Sequence, residues 1–176
     1  MTRIKGKLVM VLALLVLAAP SAFARSEHSK SMEKVRKQLV TLPYYGVFDN
    51  LEYKVEGHTV TLYGQVLNPV TRHDAARRVA RIEGVERVIN NIQVLPASGF
   101  DDSIRARTYR AIFGSGSLYR YAMGANPSIH IIVRNGNVTL EGVVSNQMDS
   151  RLAYIAARSV PGVFSVTNNL RVESNS

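Results

Sequence analysis

The chain has 176 residues, of which 46% are hydrophobic and 20% charged, and a formal net charge of +9. Those values suit one large or two small folded domains and exclude a disordered chain. There is no Cys and no Trp, which excludes disulfides and thiolate metal sites.

The first residues stand apart. Arg3, Lys5 and Lys7 precede an almost wholly aliphatic run from Leu8 to Ala19, which Pro20-Ser21 breaks. Ala22-Phe23-Ala24 then offers small residues at the two positions signal peptidase reads, so 1–24 is predicted to be an export signal cleaved before Arg25. The apolar run falls short of the ~20 residues that span a bilayer, and an uncleaved anchor is the alternative. With no Cys near the cleavage site, a lipid-anchored lipoprotein is excluded. Removing 1–24 takes away three basic residues and no acidic one, leaving +6. An exported protein of that charge is drawn to anionic headgroups and other envelope polyanions; export argues against nucleic acid as a partner.

Past the leader, the chain is one unit copied twice. Shifted by 78 positions, residues 55–94 fall on 133–172 without a gap and with 14 identities in 40. Val60-Thr61-Leu62-Tyr63-Gly64-Gln65-Val66 meets Val138-Thr139-Leu140-Glu141-Gly142-Val143-Val144, Gly84-Val85 meets Gly162-Val163, and Asn90-Asn91 meets Asn168-Asn169. A linker around Pro96-Ala97-Ser98-Gly99 separates the copies, giving domains over 30–96 and 101–173.

In chain order, Val35, Leu39 and Leu42 at helical spacing predict a helix over 31–42. Leu51, Tyr53 and Val55 alternate with charged residues as in a half-buried strand, Gly57-His58 makes a tight connection, and 59–66 alternates again. Asn68-Pro69 reads as an N-cap with Pro at the first helical position, and Gly84 as the left-handed residue closing that helix. A last strand covers 87–94. The second unit repeats the order from Asp101-Asp102, acidic residues suited to a helix start, with Asn135-Gly136 as the hairpin turn. The prediction is an α+β fold: two αββαβ domains, each a three-stranded mixed sheet packed against two helices.

The Val-Thr-Leu-x-Gly-x-Val strand, the alanine-rich helix, Gly-Val and Val-x-Asn-Asn-x-x-Val together resemble the BON domain of exported bacterial proteins. The resemblance implies the αββαβ fold, a home in the periplasm or at the outer membrane, and a role in envelope integrity or osmotic stress. It also implies phospholipid binding, proposed for some relatives through the first helix of the second domain. The absence of a lipoprotein Cys makes this chain resemble the soluble relatives.

No catalytic constellation is evident, and no metal or cofactor is implied. His28, His58, His73 and His130 have no metal-like spacing; His58 belongs in the hairpin turn and the others read as surface residues. Asp101, Asp102 and Asp149 precede helices and read as caps. Gly114-Ser115-Gly116-Ser117 reads as a flexible loop. The Asn pairs, present in both copies, read as structural.

Where the copies differ, a binding surface is expected. At about 100° per residue, Ala75, Val79 and Ile82 mark the buried face of the first unit's second helix, leaving Asp74, Arg77, Arg78 and Arg81 outside. The second unit has Leu152, Ile155, Ala156 and Ser159 at those positions, an apolar outer face that wants a partner. In the second unit's first helix, Ile104, Thr108, Ala111 and Ile112 form the core stripe. Arg105, Tyr109, Arg110 and Phe113, followed by Tyr119, Arg120 and Tyr121, supply aromatics beside arginines, which suits a membrane interface. The expectation is that this 105–121 set faces anionic lipid or an envelope protein, while Leu152 and Ile155 face the first domain or a second protomer. The alternative is an assembly module that builds oligomers.

Overall fold

A computed structural model describes residues 20–114, 116–124 and 126–173. The first unit runs α1 (Pro20–Val40), β1 (Asn50–Glu56), β2 (Thr59–Val66), α2 (Pro69–Val79), β3 (Arg87–Asn90) and β4 (Gln93–Val94). The second runs α3 (Gly99–Phe113), a 3-10 helix (Gly116–Ala122), β5 (Ile129–Arg134), β6 (Asn137–Val144), α4 (Gln147–Arg158), β7 (Ser165–Asn168) and β8 (Arg171–Val172). In each unit the middle strand is central: β2 pairs antiparallel with β1 and parallel with β3 and β4, and β6 does the same with β5, β7 and β8. This is the mixed αββαβ sheet expected of the repeat.

Local chemistry explains the elements. Asn68 caps α2 by accepting from the Val70 N–H at 2.9 Å, with Pro69 opening the helix. Asn135 and Gly136 both have positive φ, 51° and 76°, the type I′ geometry that matches strand twist. Gly64 and Gly142 sit at φ +112° and +120° where any Cβ would fall on a carbonyl oxygen of the adjoining strand, that of Asn50 or Ser128. Only glycine fits there.

The single last strand predicted for each unit is two short ones, and the shared asparagines are the reason. The Asn90 Oδ1 accepts from the Ile92 N–H at 3.2 Å while its Nδ2 donates to the Arg72 carbonyl at 3.0 Å. Asn168 does the same with Leu170 and Ser150. The side-chain turn breaks the ladder for one step and ties the strand to the preceding helix. Two boundaries also differ. The helix α1 starts at Pro20, before residue 31, and α2 ends at Val79 rather than near Glu83, so Gly84 (φ +88°) serves a separate turn. The segment around Ser117, expected as a flexible loop, is a 3-10 helix held by buried Leu118 and Tyr121; Ser115 lies outside the described residues. Of the leader, residues 1–19 also lie outside them.

Each unit has its own core. Val35, Leu39, Val60, Leu62, Val66, Ala75 and Val79 fill the first; Ile104, Ile112, Phe113, Ile131, Val138, Leu140 and Ala153 fill much of the second. Between them the connection 41–49 acts as a clasp. Val47 and Phe48, although part of the first unit, pack against the core of the second. The Ile131 N–H donates to the Val47 carbonyl at 2.7 Å, covering the free edge of β5, which would otherwise expose unpaired backbone groups. Asn126 Nδ2 donates to the Val40 carbonyl at 2.8 Å, and Arg134 reaches Gln93 at 3.2 Å. Asp49 holds the clasp in shape, accepting from the Gly46 and Leu67 N–H groups at 2.9 and 2.7 Å. Burial pushes its carboxyl above the usual range, against the pull of those two bonds and of Arg105.

Candidate binding surface

The helix α3 presents two unlike flanks. On one, Tyr109 meets Phe113 edge-on at 4.9 Å and Phe48 of the clasp at 6.3 Å, so the aromatic row is part of the contact between domains. Phe113 is 3% exposed and Tyr121 7%. Arg105 is 2% exposed, donating to the Asp102 carboxylate and to the Val133 carbonyl, each at 2.6 Å. These three do not face solvent as expected: Phe113 and Tyr121 belong to the core of the second domain, against which Val47 and Phe48 of the clasp pack, and Arg105 is buried against β5. Arg120 remains half exposed, yet its guanidinium is paired with Asp149 and bonded to the Tyr121 hydroxyl at 3.0 Å. The same hydroxyl donates to Asp149 at 2.5 Å and accepts from the Ser145 N–H at 2.9 Å. Arg120 and Tyr121 therefore lash the 3-10 helix to the start of α4. Of the 105–121 set, Arg110 and Tyr119 stand plainly in solvent, with Tyr109 at the margin.

The α4 residues expected to face the first domain or a second protomer are exposed in the single chain. Leu152 and Ile155 are 39% and 61% exposed, and Met148, one turn before Leu152, is 61% exposed. With Ala153, Ala157, Asp149 and Ser150 buried, helical geometry puts Met148, Leu152 and Ile155 on the outer side of α4. Arg151 and Arg158, also exposed, border them. Part of the α3 aromatic row thus lies at the domain contact, and the α4 row is exposed.

The caps differ from expectation as well. Ser98 and Asn146 cap α3 and α4, each accepting an N–H three residues on. Asp101, fully buried, accepts instead from the Asn135 and Gly136 N–H groups at 2.8 Å each, bracing the hairpin turn. His58 lies in its turn, bonded to the Gly84 carbonyl at 2.9 Å, and His73 lies beside Asp74. His130 is a correction: it is buried in the domain contact. Its Nδ1 is 3.2 Å from the Gly46 carbonyl and its Nε2 3.4 Å from the Tyr45 hydroxyl. A neutral ring with Nδ1–H donating and Nε2 accepting satisfies both. Burial lowers the His130 pKa and pushes Tyr45 up to about 12.

A polar cleft of about 990 Å³ opens beside this contact, with Tyr45, Glu52, His130, Glu141 and Asn169 on its walls. Asn169 donates to Glu141 at 2.7 Å and Asn50 to Glu52 at 2.8 Å; burial raises the Glu141 pKa. Sequence reasoning missed the clasp, Met148, and an exposed aromatic pair, Phe100 and Phe164, whose tilted rings lie 5.9 Å apart beside the Gly136 turn. A signal for the clasp was present: Tyr44-Tyr45-Gly46-Val47-Phe48 is an apolar run where a polar connection is the norm.

The family model for the BON domain matches residues 32–96 and 101–174, the two units described above. The chain belongs to the BON family. Both BON domains lie within the described fold apart from residue 174 and the two single positions between α3 and β5. No curated protein sequence matches the chain. Among solved structures, it is similar to CdsD, a structural protein of the type III secretion system of Chlamydia trachomatis. The identity is 10%, over 82% of this chain and 92% of that one, with a TM-score of 0.33. The C-terminal domain of the same protein matches with 11% identity, over 81% and 97% of the two chains, at a TM-score of 0.28. Likeness at that level says nothing of a shared task. Among the described residues, no helix of this BON protein is long and apolar enough to cross a membrane.

Proposed function

We propose that this tandem BON protein is an exported, non-catalytic binding protein of the cell envelope that attaches to anionic phospholipid surfaces and supports envelope integrity or osmotic tolerance. The observation that carries the reading is the outer face of α4. Met148, Leu152 and Ile155 project from a folded domain with arginines beside them, while the same helix of the first domain carries Asp74, Arg77 and Arg78 there. An apolar row bordered by cations suits a helix lying in the headgroup plane, side chains dipping toward the acyl region and guanidiniums meeting phosphate.

The test is co-sedimentation with anionic and neutral liposomes across a salt series. The expected result is binding to anionic vesicles that fades as salt screens it, over roughly 8 Å at physiological strength, and that Arg151→Glu with Arg158→Glu abolishes. An exposed apolar row of this kind also favours the second reading, an assembly module. That reading predicts a stable oligomer that survives salt and breaks with Ile155→Glu.

A further inference from the structure

The two helices of the first domain, α1 and α2, enclose a groove of about 530 Å³ at their C-terminal ends. Lys34 and Lys37 line it from α1, Arg78 and Arg81 from α2 and the turn after it, and Ile82 is part of its lining. The carboxylate beside it is Glu83, which lies 3.7 Å from Lys34. Arg78 is turned partly inward, donating to the Thr41 carbonyl at 3.2 Å. Lys37 and Arg81 have neither an ion pair nor a side-chain hydrogen bond among the described residues.

Cations in the last turn of a helix complement its dipole, which accounts for Lys37 and Arg78 taken singly. It does not account for their meeting around one concavity with a single carboxylate beside them. Like charges so gathered repel unless a counter-charge lies between them. The second domain has no such set, since the positions of Arg78 and Arg81 are Ala156 and Ser159 there. The fold therefore does not require them.

We propose that this groove is a phosphate-binding site. The planar guanidinium of Arg81 suits two phosphate oxygens at once and the Lys37 ammonium supplies a point charge, with Arg78 and Lys34 as the surrounding field. The ligand class is a phosphate group that projects from its carrier far enough to enter a groove, borne either on a soluble phosphorylated molecule or on a lipid headgroup. The inference is independent of the α4 face, which lies on the other domain.

The experiment is calorimetric titration of the purified protein with inorganic pyrophosphate at low and moderate salt. Wild type is compared with K37Q/R81Q and with R72Q/R77Q, which removes the same charge from exposed positions of α2 outside the groove. The expected result is a loss of tenfold or more in pyrophosphate affinity for K37Q/R81Q and less than twofold for the control pair, with unchanged melting for both. Equal losses in the two pairs would reduce the site to net charge and overturn the proposal, as would no measurable binding by wild type. Parallel titration with anionic vesicles identifies the source. A drop for K37Q/R81Q there assigns the phosphate to lipid, and an unchanged vesicle affinity assigns it to a soluble ligand; both support the groove.

Discussion

The two domains share a backbone plan and differ in what their helices show to the outside. Of the residues common to both, Gly64 and Gly142 meet the neighbouring backbone alike, Asn90 and Asn168 make the same side-chain turn, and Asn68 and Asn146 both cap a helix, through the N–H two residues on in the first copy and three on in the second. Among the positions that differ, the outer face of the second helix is mainly charged in the first copy, with Arg77 and Arg78, and mainly apolar in the second, with Leu152 and Ile155. Duplication leaves one scaffold twice and frees its surface to diverge. A second contrast lies within the second domain: the aromatic flank of α3 is consumed in holding the domains together, and the apolar side of α4 is not. A covered row and a free row should respond oppositely to mutation.

The largest effect is expected in the covered row. Phe113→Ala removes a nearly fully buried ring that meets Tyr109 and should cost about 3–5 kcal/mol in chemical denaturation. A cost below ~1 kcal/mol would mean that the row is not core. Phe48→Ala comes next, at about 2 kcal/mol because the ring is half-buried. Calorimetry should then show the single transition separating into two as the domains lose their clasp.

Smaller and opposite in kind is the pH response of the same contact. Burial holds the His130 pKa below its ordinary 6.5, so the unfolded or undocked chain binds the proton more readily. Stability is then full above the ordinary value and falls as pH drops through it toward the folded value. Asp49 and Glu141, both raised by burial, take up protons more readily when folded, so their acid-side contribution has the opposite sign and appears at lower pH. Tyr45, at about 12, stays protonated throughout. Between pH 7.5 and 5.5 wild type should lose stability while His130→Gln stays flat, measured by thermal melts; parallel curves would remove His130 from the account. The smallest stability effect belongs to the free row. Ile155→Ala and Leu152→Ala should shift stability by no more than about 0.5 kcal/mol, yet weaken vesicle binding several-fold.

How much of this was legible in the sequence follows the same division. The fold was readable because its signals are local and stated twice: the alternation around Val60 and Val138, Asn68-Pro69, the Asn135-Gly136 turn. The splitting of the last strand was hidden, although the asparagines that cause it were visible, because a side-chain turn leaves the hydrophobic alternation intact. The helix ends were hidden because periodicity continues past the last hydrogen bond. The burial of Arg105, Phe113 and Tyr121 was hidden for a different reason. The helix α3 carries apolar residues on more than one side, so its pattern cannot say which side is covered. What Tyr109 meets across the domain contact is Phe48, which lies in the other unit and outside the repeat, where comparison of the copies is blind. The free side of α4 was marked correctly as an outer face, and its partner was the part that could not be read.

Because the chain has no Trp, a single introduced Trp reports on one place alone. The decisive measurement is the emission of Ile155→Trp and of Tyr109→Trp as anionic vesicles are added. The account predicts a blue shift for Ile155→Trp, as its ring moves from water into the interface, and no change for Tyr109→Trp against Phe48. A shift confined to Tyr109→Trp would contradict it, placing the membrane on α3 and the clasp among the parts that open.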